Sequence, residues 1–151
     1  MDIKRLEHAT ERHKTSYLSC GSVDAQPIIM LHGWPDLSIG WEEQLKFFGA
    51  QGYHAIAPDM RGYGLSSIPE NHNDYCMREI VEDMIELLSS LGHKEAIWVG
   101  HDWGSPVVWN IALHHPEAVK GLVSLCVSFG WGGHPNSCLL YTSDAADEVQ
   151  C

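Results

Sequence analysis

Short apolar runs alternate with segments of helical periodicity along most of this 151-residue chain. Continuous apolar runs are typical of strands that are buried on both faces of a parallel sheet. Such runs lie at residues 27–31, 53–57, 95–99 and 119–127, and helices are predicted between them over 41–51, 74–92 and 106–114. The order β-α-β-α-β-α-β predicts a mostly parallel sheet with helices on both faces, and residues 13–20 add a weaker strand candidate.

The longest predicted helix begins at Asp74, whose side chain can cap the N-terminus, and ends near Gly92. Its apolar residues recur at helical spacing and form one stripe: Ile80, Met84, Leu87, Leu88 and Leu91. Its acidic residues predict a solvated face: Glu79, Glu82, Asp83 and Glu86. Elsewhere we expect Trp98 and Trp109 to pack in the core, whereas Trp131 fits either the core or the entrance of a pocket.

Composition argues against nucleic-acid and membrane partners. The chain has 9 Lys and Arg residues against 20 Asp and Glu, a net charge of -11, and no basic patch that could follow a phosphate backbone. No apolar run approaches the roughly 20 residues that cross a bilayer. The N-terminus lacks the apolar core of a signal peptide, so we expect a cytoplasmic protein. The five scattered cysteines show no Cys-x-x-Cys spacing and are predicted to be free thiols. The sequence leaves the oligomeric state open.

Residues 138–151 differ in character from the rest of the chain. The residues from Cys138 to Glu148 match, in order, the translation of a sequencing-library transposase adapter. A natural polar tail is the alternative. We therefore predict one domain over residues 1–137, followed by a non-native tail over 138–151 that takes no part in the fold.

An aspartate between two glycines follows the predicted strand 95–99 and precedes a helix: Gly100-His101-Asp102-Trp103-Gly104. In a strand–turn–helix of this form the turn is so sharp that β-carbons on its flanks would collide with neighbouring backbone. The side chain of Asp102 would project above the carboxyl end of the sheet, where a carboxylate can attack an electrophilic carbon and form an ester. The alternative is a tight turn in which Asp102 only caps the helix.

Two further motifs follow predicted strands. His32-Gly33-Trp34-Pro35 comes directly after 27–31, and Asp59-Met60-Arg61-Gly62-Tyr63-Gly64 comes after 53–57. The glycines of the second motif permit a loop that lies against the floor of a site above the sheet. The alternatives are a satisfied core histidine for His32, an ordinary turn at Pro35 and a plain surface turn for the second motif.

Together the three motifs resemble the epoxide-hydrolase branch of the α/β-hydrolase superfamily, over about residues 1–130. The resemblance implies the α/β-hydrolase fold, of which this chain would hold only the N-terminal part. It also implies that Asp102 is the nucleophile and that the backbone N–H groups of Trp34 and Trp103 form an oxyanion hole. The residues that would support these turns are His32, Gly33, Pro35, Gly100, His101 and Gly104.

By this resemblance the substrate is a small apolar epoxide, and no metal or organic cofactor is implied. Asp102 opens the ring to give a hydroxyalkyl ester, and water activated by a histidine–acid pair hydrolyses that ester to a vicinal diol. Haloalkane dehalogenases share an aspartate nucleophile followed by tryptophan, but Trp34, Asp36 and the loop containing Arg61 favour an epoxide hydrolase. A non-catalytic ligand-binding protein of this fold, and a chain that has no function as it stands, are the two remaining hypotheses.

In that family the cap, the acid and the histidine follow the nucleophile in sequence, beyond the strand 119–127. We therefore expect this chain to lack them, to expose 119–127 as an apolar edge and to be inactive alone. His101 adjoins the nucleophile but should point away from it, and His114 and His115 close a helix, where cations are favoured. His134, in a Gly-Gly-His-Pro loop, is a weak candidate for the base.

Overall fold

The computed structural model describes residues 2–128, in which an N-terminal hairpin precedes alternating strands and helices. The strands are β1 (Lys4–Ala9), β2 (Lys14–Cys20), β3 (Pro27–Leu31), β4 (His54–Pro58), β5 (Ala96–His101) and β6 (Val119–Leu125). The α-helices are α1 (Glu42–Ala50), α2 (Met77–Ser90) and α3 (Gly104–His114). Short 3-10 helices lie at Ser38–Trp41, His72–Tyr75 and Pro116–Ala118.

The strands form one sheet in the order β1-β2-β4-β3-β5-β6. β4, β3, β5 and β6 run parallel to one another, whereas β1 and β2 are antiparallel to their neighbours. Every residue of β3 and β4 is buried, which explains why β3 reads as a continuous apolar run. The mostly parallel sheet predicted from the sequence is therefore confirmed.

Helices cover both faces of the sheet, as predicted. Because side chains alternate along a strand, Ile29 and Leu31 of β3 point to one face and Ile28 and Met30 to the other. The first face packs against α2 and α3 through Met84, Leu87, Val108 and Ile111. The second face packs against α1 through the fully buried Leu45. Each helix thus buries its apolar side on the sheet.

The carboxyl ends of β3 and β5 meet where the winding of the sheet reverses. From β3 the chain crosses to β4 through α1, and from β5 it crosses to β6 on the opposite side through α3. Leu31 at the end of β3 is paired with Gly100 in β5. Ligands of open α/β sheets bind outside the strand ends at such a reversal. The fold therefore brings the segment after Leu31 beside Asp102.

Several predicted element boundaries were wrong. β1 was not predicted, because five of its six residues are exposed and give no apolar pattern. α2 begins at Met77, and Asp74 lies in the preceding 3-10 helix rather than capping α2, because the chain is extended at Cys76. α3 begins at Gly104, since the proline at position 106 fits the first turn of a helix.

The strand 119–127 is shorter than predicted and lies at an edge. β6 ends at Leu125, because Cys126 has a φ of 73°, outside the range of strands. Among residues 2–128, β6 pairs only with β5, and its Val123 and Leu125 are exposed. This part of the chain therefore shows the exposed apolar edge that was expected.

The prediction of a solvated acidic face on α2 was wrong at Asp83. This residue is 1% exposed, and both of its carboxylate oxygens bind the guanidinium of Arg61 at 2.7 Å. Arg12 also contacts the carboxylate at 2.7 Å. Position 83 follows Ile80 by three residues and precedes Leu87 by four, so it lies on the buried side of the helix. Glu79, Glu82 and Glu86 remain partly exposed.

Both tryptophans that were predicted to lie in the core are among the described residues. Trp98 is fully buried and donates its indole N–H to the Ala118 carbonyl at 2.9 Å, which confirms the prediction. Trp109 is half-buried and donates to Ser124 Oγ at 3.2 Å. The predictions for Trp131, for His134 and for the tail over 138–151 fall outside the described residues.

Three findings concern the chain between residues 2 and 128 as a whole. Cys20, Cys76 and Cys126 are free thiols, as predicted, whereas Cys138 and Cys151 lie outside that range. None of the helices in that range is long and apolar enough to span a membrane. Nor does that range hold a cluster of three or more His, Cys, Asp or Glu side chains that could bind a metal ion.

Candidate active site

Asp102 lies on the sharp turn between β5 and α3. β5 ends at His101 and α3 begins at Gly104, so only Asp102 and Trp103 separate the two elements. Asp102 has a φ of 51°, in the left-handed region that few non-glycine residues adopt. Strained backbone of this kind persists where the surroundings fix it, and it is concentrated at functional sites.

Packing requires glycine on both sides of this turn. A β-carbon at Gly100 would overlap the carbonyl oxygen of Gly104, and one at Gly104 would overlap the carbonyl oxygen of Leu31 at the end of β3. Ser105 holds the turn, because its N–H donates to the Asp102 carbonyl at 3.0 Å and its hydroxyl donates to the Gly100 carbonyl at 2.9 Å. A β-carbon at either position would therefore collide with the backbone, as expected from the glycine spacing.

The carboxylate of Asp102 contacts the turn that follows β3. The N–H of Trp34 donates to Asp102 Oδ1 at 2.9 Å, so the side chain accepts from this turn and does not merely cap α3. A β-carbon on Gly33 would overlap the β-carbon of Asp102 and lie 2.6 Å from Oδ1. Beyond a cis peptide bond between Trp34 and Pro35, the N–H of Asp36 closes the turn on the Gly33 carbonyl at 3.1 Å. Glycine at position 33 leaves room for the carboxylate.

His32 holds the peptide group that donates to Asp102. The ring is fully buried, with Nδ1 2.8 Å from the Gly33 carbonyl oxygen and Nε2 accepting the N–H of Met60 at 3.0 Å. Burial lowers the pKa of His32 below its ordinary value, so the ring is neutral and Nδ1 carries its proton. The Gly33 carbonyl and the Trp34 N–H belong to one planar group. By fixing the carbonyl, His32 orients the N–H, so it is a satisfied core histidine that also holds the turn after β3.

Trp103 occupies the N-terminal cap of α3. Its N–H therefore belongs to the first turn, where amide groups have no acceptor within the helix and the helix dipole is positive. Trp34 and Trp103 are 66% and 54% exposed, so two large and mostly apolar side chains adjoin the carboxylate. The use of the Trp103 N–H as a second oxyanion donor stays a prediction.

Asp59, which begins the second motif, connects the loops after β3 and β4 to the N-terminal hairpin. Its buried carboxylate accepts the N–H of Ser38 at 2.9 Å and the N–H of Leu65 at 3.2 Å, and it pairs with Arg5 at 2.9 Å. Burial alone would raise the pKa of Asp59, but the bonds from Ser38 and Leu65 and the charge of Arg5 bring it below its ordinary value. Sequence reasoning missed Arg5, because its partner is 54 residues away.

Arg61 anchors the second motif to α2. Its side chain is 3% exposed, and the guanidinium binds Asp83 through two nitrogens and donates through Nη1 to the Asp74 carbonyl at 2.9 Å. Gly62 then turns the chain with a φ of 85°. Because Met60 and Arg61 are buried, the motif is not a plain surface turn, and the Met60 N–H connects it to His32 in the first motif.

A cavity of about 220 Å³ borders the site on the side of this loop. Its lining is mostly apolar and includes Met60, Tyr63, Tyr75, Met77, Ile80 and Trp103. Because Trp103 is adjacent to Asp102 in the turn, this is the cavity relevant to the carboxylate. A larger cavity of about 310 Å³ lies around His114 and His115. That end of α3 is about 15 Å from the end at Asp102, since a helix rises about 1.5 Å per residue.

The described residues bring no base to the carboxylate of Asp102. Among residues 2–128, no histidine forms a hydrogen bond or ion pair with the side chain of Asp102, whose donor is the Trp34 N–H. His101 is half-buried at the end of β5, and His114 is exposed at the end of α3. His115 pairs with Glu82 at 3.3 Å. The arrangement supplies a polarised carboxylate on an exposed turn, which is suited to forming an ester.

Comparison with known proteins identifies the family of this chain. A family model described as "alpha/beta hydrolase fold" matches residues 26–144. Epoxide hydrolase A of Mycobacterium tuberculosis is 41% identical over 110 residues, which are 73% of this chain and 34% of that protein. Epoxide hydrolase 2 of Siraitia grosvenorii is 38% identical over 128 residues, which are 84% of this chain and 40% of that protein.

Solved structures show the same similarity. The crystal structure of epoxide hydrolase A from Mycobacterium thermoresistibile matches with a TM-score of 0.81 and 34% identity, covering 83% of this chain and 40% of that one. An epoxide hydrolase from Vigna radiata matches with a TM-score of 0.81 and 35% identity, covering 84% of this chain and 39% of that one. The chain thus spans at most about 40% of the length of these relatives.

Proposed function

Because this chain belongs to the α/β-hydrolase fold family, we propose that it carries the nucleophile part of an epoxide hydrolase, with Asp102 as the attacking group. The observation that carries the proposal is the Asp102 carboxylate on a left-handed turn, with Oδ1 2.9 Å from the Trp34 N–H. The four relatives described above are all named epoxide hydrolases, which supports this substrate class over haloalkanes. A carboxylate in place of a serine suits attack on a saturated carbon.

In the first half-reaction Asp102 opens the epoxide. The Trp34 N–H holds Oδ1, while Oδ2 has no hydrogen-bond donor among residues 2–128 and is the oxygen that attacks. A bond forms between Oδ2 and an epoxide carbon as the bond from that carbon to the epoxide oxygen breaks. The electron pair stays on the epoxide oxygen, which takes up a proton from solvent water to become a hydroxyl. The product is a hydroxyalkyl ester of Asp102, and its formation needs no base.

In the second half-reaction water attacks the ester carbonyl carbon and gives up a proton to a base, and negative charge develops on the oxygen that Trp34 holds. The bond from that carbon to Oδ2 then breaks, and the diol leaves with Oδ2, which takes up a proton. The N–H groups of Trp34 and Trp103 would stabilise that charge, each by about 2.7–4 kcal/mol. His32 acts here as a positioning residue, since it fixes the donating peptide group. A base for the water is not among the residues that contact Asp102 in the range 2–128.

The substrate is expected to be a small, largely apolar epoxide. The two exposed indoles and the apolar cavity beside Trp103 give it apolar surface, and the charged carboxylate of Asp102 is the group that it must approach. No metal or organic cofactor enters the proposed steps. A cytoplasmic setting stays a prediction from the N-terminal sequence.

Alkylation of the chain tests the proposal without requiring turnover. The full chain is incubated with a terminal aryl epoxide or with a matched primary bromide, and mass spectrometry of peptides locates any adduct. We expect the epoxide to label Asp102 at a rate that the bromide does not reach. Asp102→Asn should abolish the label, and Asp36→Asn, an exposed acid on the neighbouring turn, should leave it unchanged. Labelling that is equal in Asp102→Asn would contradict the proposal, and faster labelling by the bromide would favour a haloalkane dehalogenase.

A further inference from the structure

Two histidines lie close together at the amino ends of the parallel strands, the opposite ends from Asp102. His54 is the first residue of β4, and His93 lies between α2 and β5, so both stand at the amino ends of parallel strands. His54 Nδ1 and His93 Nε2 are 3.4 Å apart, and the ring centroids are 5.7 Å apart with an angle of 51° between the rings. His54 is 1% exposed and His93 is half-buried. The steps proposed for Asp102 use neither residue.

The separation of the two nitrogens matches a shared metal ion. With Zn–N bonds of about 2.0–2.1 Å and a tetrahedral angle, two ligand nitrogens lie about 3.3–3.4 Å apart. The same pair is also compatible with a hydrogen bond from one ring to the other, which describes the metal-free chain. A metal ion would lie to one side of the line that joins the nitrogens, so the rings must turn toward it. His93 has the freedom to do so, because it is half-exposed and lies outside α2 and β5.

The second nitrogen of His54 is held as in many metal sites. Nε2 lies 2.9 Å from the hydroxyl oxygen of Ser19, a buried residue of β2. Imidazoles that bind metals use their other nitrogen in such a contact, which fixes the tautomer and the orientation of the ring. In the tautomer whose Nε2–H donates to Ser19 Oγ, the lone pair of Nδ1 faces His93 and is available to a metal ion. Burial also disfavours the charged form of the ring, which cannot bind a metal.

We propose that His54 and His93 form a two-histidine site for a divalent transition metal of the zinc or cobalt class, with water in the remaining positions. Imidazole nitrogens suit these ions. Because the range 2–128 holds no cluster of three such ligands, the site is exchangeable rather than a closed structural centre. The ion would link β4 to the segment that precedes β5, and because it binds only the folded chain it would stabilise that state.

Zinc titration of the full chain tests this site separately from the epoxide chemistry. The thiols are first blocked with N-ethylmaleimide, so that the cysteines do not compete for the ion. Calorimetry should show one Zn²⁺ per chain, and Zn²⁺ should raise the midpoint of thermal unfolding. Co²⁺ in its place should give the absorption of a tetrahedral site with nitrogen ligands.

The variants decide whether these two residues are the ligands. His93→Gln, which alters a half-exposed side chain outside the helices and strands, should keep the fold and weaken zinc binding at least about tenfold. His54→Gln should do the same if it folds. His72→Gln, at an exposed histidine, is the matched control and should bind zinc as the parent chain does. The proposal is overturned if the parent chain binds no zinc, or if His93→Gln binds it as tightly as the parent.

Discussion

Replacing Arg61 with methionine tests how the glycine loop after β4 is held. Methionine keeps an unbranched apolar stem but removes three charged hydrogen bonds, two to Asp83 at 2.7 Å and one to the Asp74 carbonyl at 2.9 Å. Removing one partner of a buried ion pair costs about 3–5 kcal/mol, because the other charge is left without compensation. Arg12 still contacts Asp83 at 2.7 Å, so the carboxylate keeps one cation. We therefore expect a loss near the lower end, about 3 kcal/mol of unfolding free energy.

Urea denaturation followed by circular dichroism measures this loss. The matched control is Arg78→Met, because Arg78 has an 81% exposed side chain and lies 3.7 Å from Glu79. An exposed pair of this kind contributes at most about 1 kcal/mol. The double variant Arg61→Met with Asp83→Leu should recover part of the loss, since no buried charge then remains unpaired. A loss for Arg61→Met no greater than that for Arg78→Met would refute the reasoning.

Two further outcomes are expected on stability. Gly104→Ala should lower the free energy of unfolding by about 3 kcal/mol or more in urea denaturation, because the added β-carbon would overlap the Leu31 carbonyl. Gly121→Ala, whose β-carbon would lie 3.7 Å from Ile97, should leave the free energy of unfolding unchanged. Equal effects of the two substitutions would contradict the steric account. Stability should fall as pH drops below 6.5, the ordinary pKa of histidine, because burial lowers the pKa of His32 and protonation therefore favours the unfolded chain. Urea midpoints measured at about pH 7.5 and about pH 5.5 check this prediction, and the difference between them should be smaller in His32→Asn. A midpoint that rises at the lower pH would contradict the prediction.

The sequence predicts the site well where backbone geometry dictates residue type. The turn at Asp102 could be located because glycine at positions 100 and 104 has a steric cause: a β-carbon at either position would overlap a backbone carbonyl group. The alternation of apolar runs gave the parallel sheet, since strands buried on both faces leave few polar positions. The roles of Asp102 and of the two N–H donors stay predictions, because no ligand or reaction has tested them.

What the sequence did not predict depends on contacts between distant segments. β1 has no apolar pattern, and its Arg5 acquires a role only through Asp59, 54 residues along the chain. Asp83 looked like part of an acidic helix face, since its partners Arg61 and Arg12 come from other parts of the fold. One signal was present, because position 83 has the spacing of the apolar stripe. A charge on that stripe indicates a buried pair rather than a solvated face.

The hydrogen bond from Trp34 to Asp102 is the central structural claim, and nuclear magnetic resonance tests it most directly. The amide proton of Trp34 donates to a carboxylate at 2.9 Å, and such charge-assisted bonds are short and strong. In Asp102→Asn the Trp34 amide resonance should move upfield and exchange faster with solvent. In Asp36→Asn, which removes the acceptor charge for Leu37 on the same turn, it should remain in place. A Trp34 resonance that does not respond to Asp102→Asn would contradict the account.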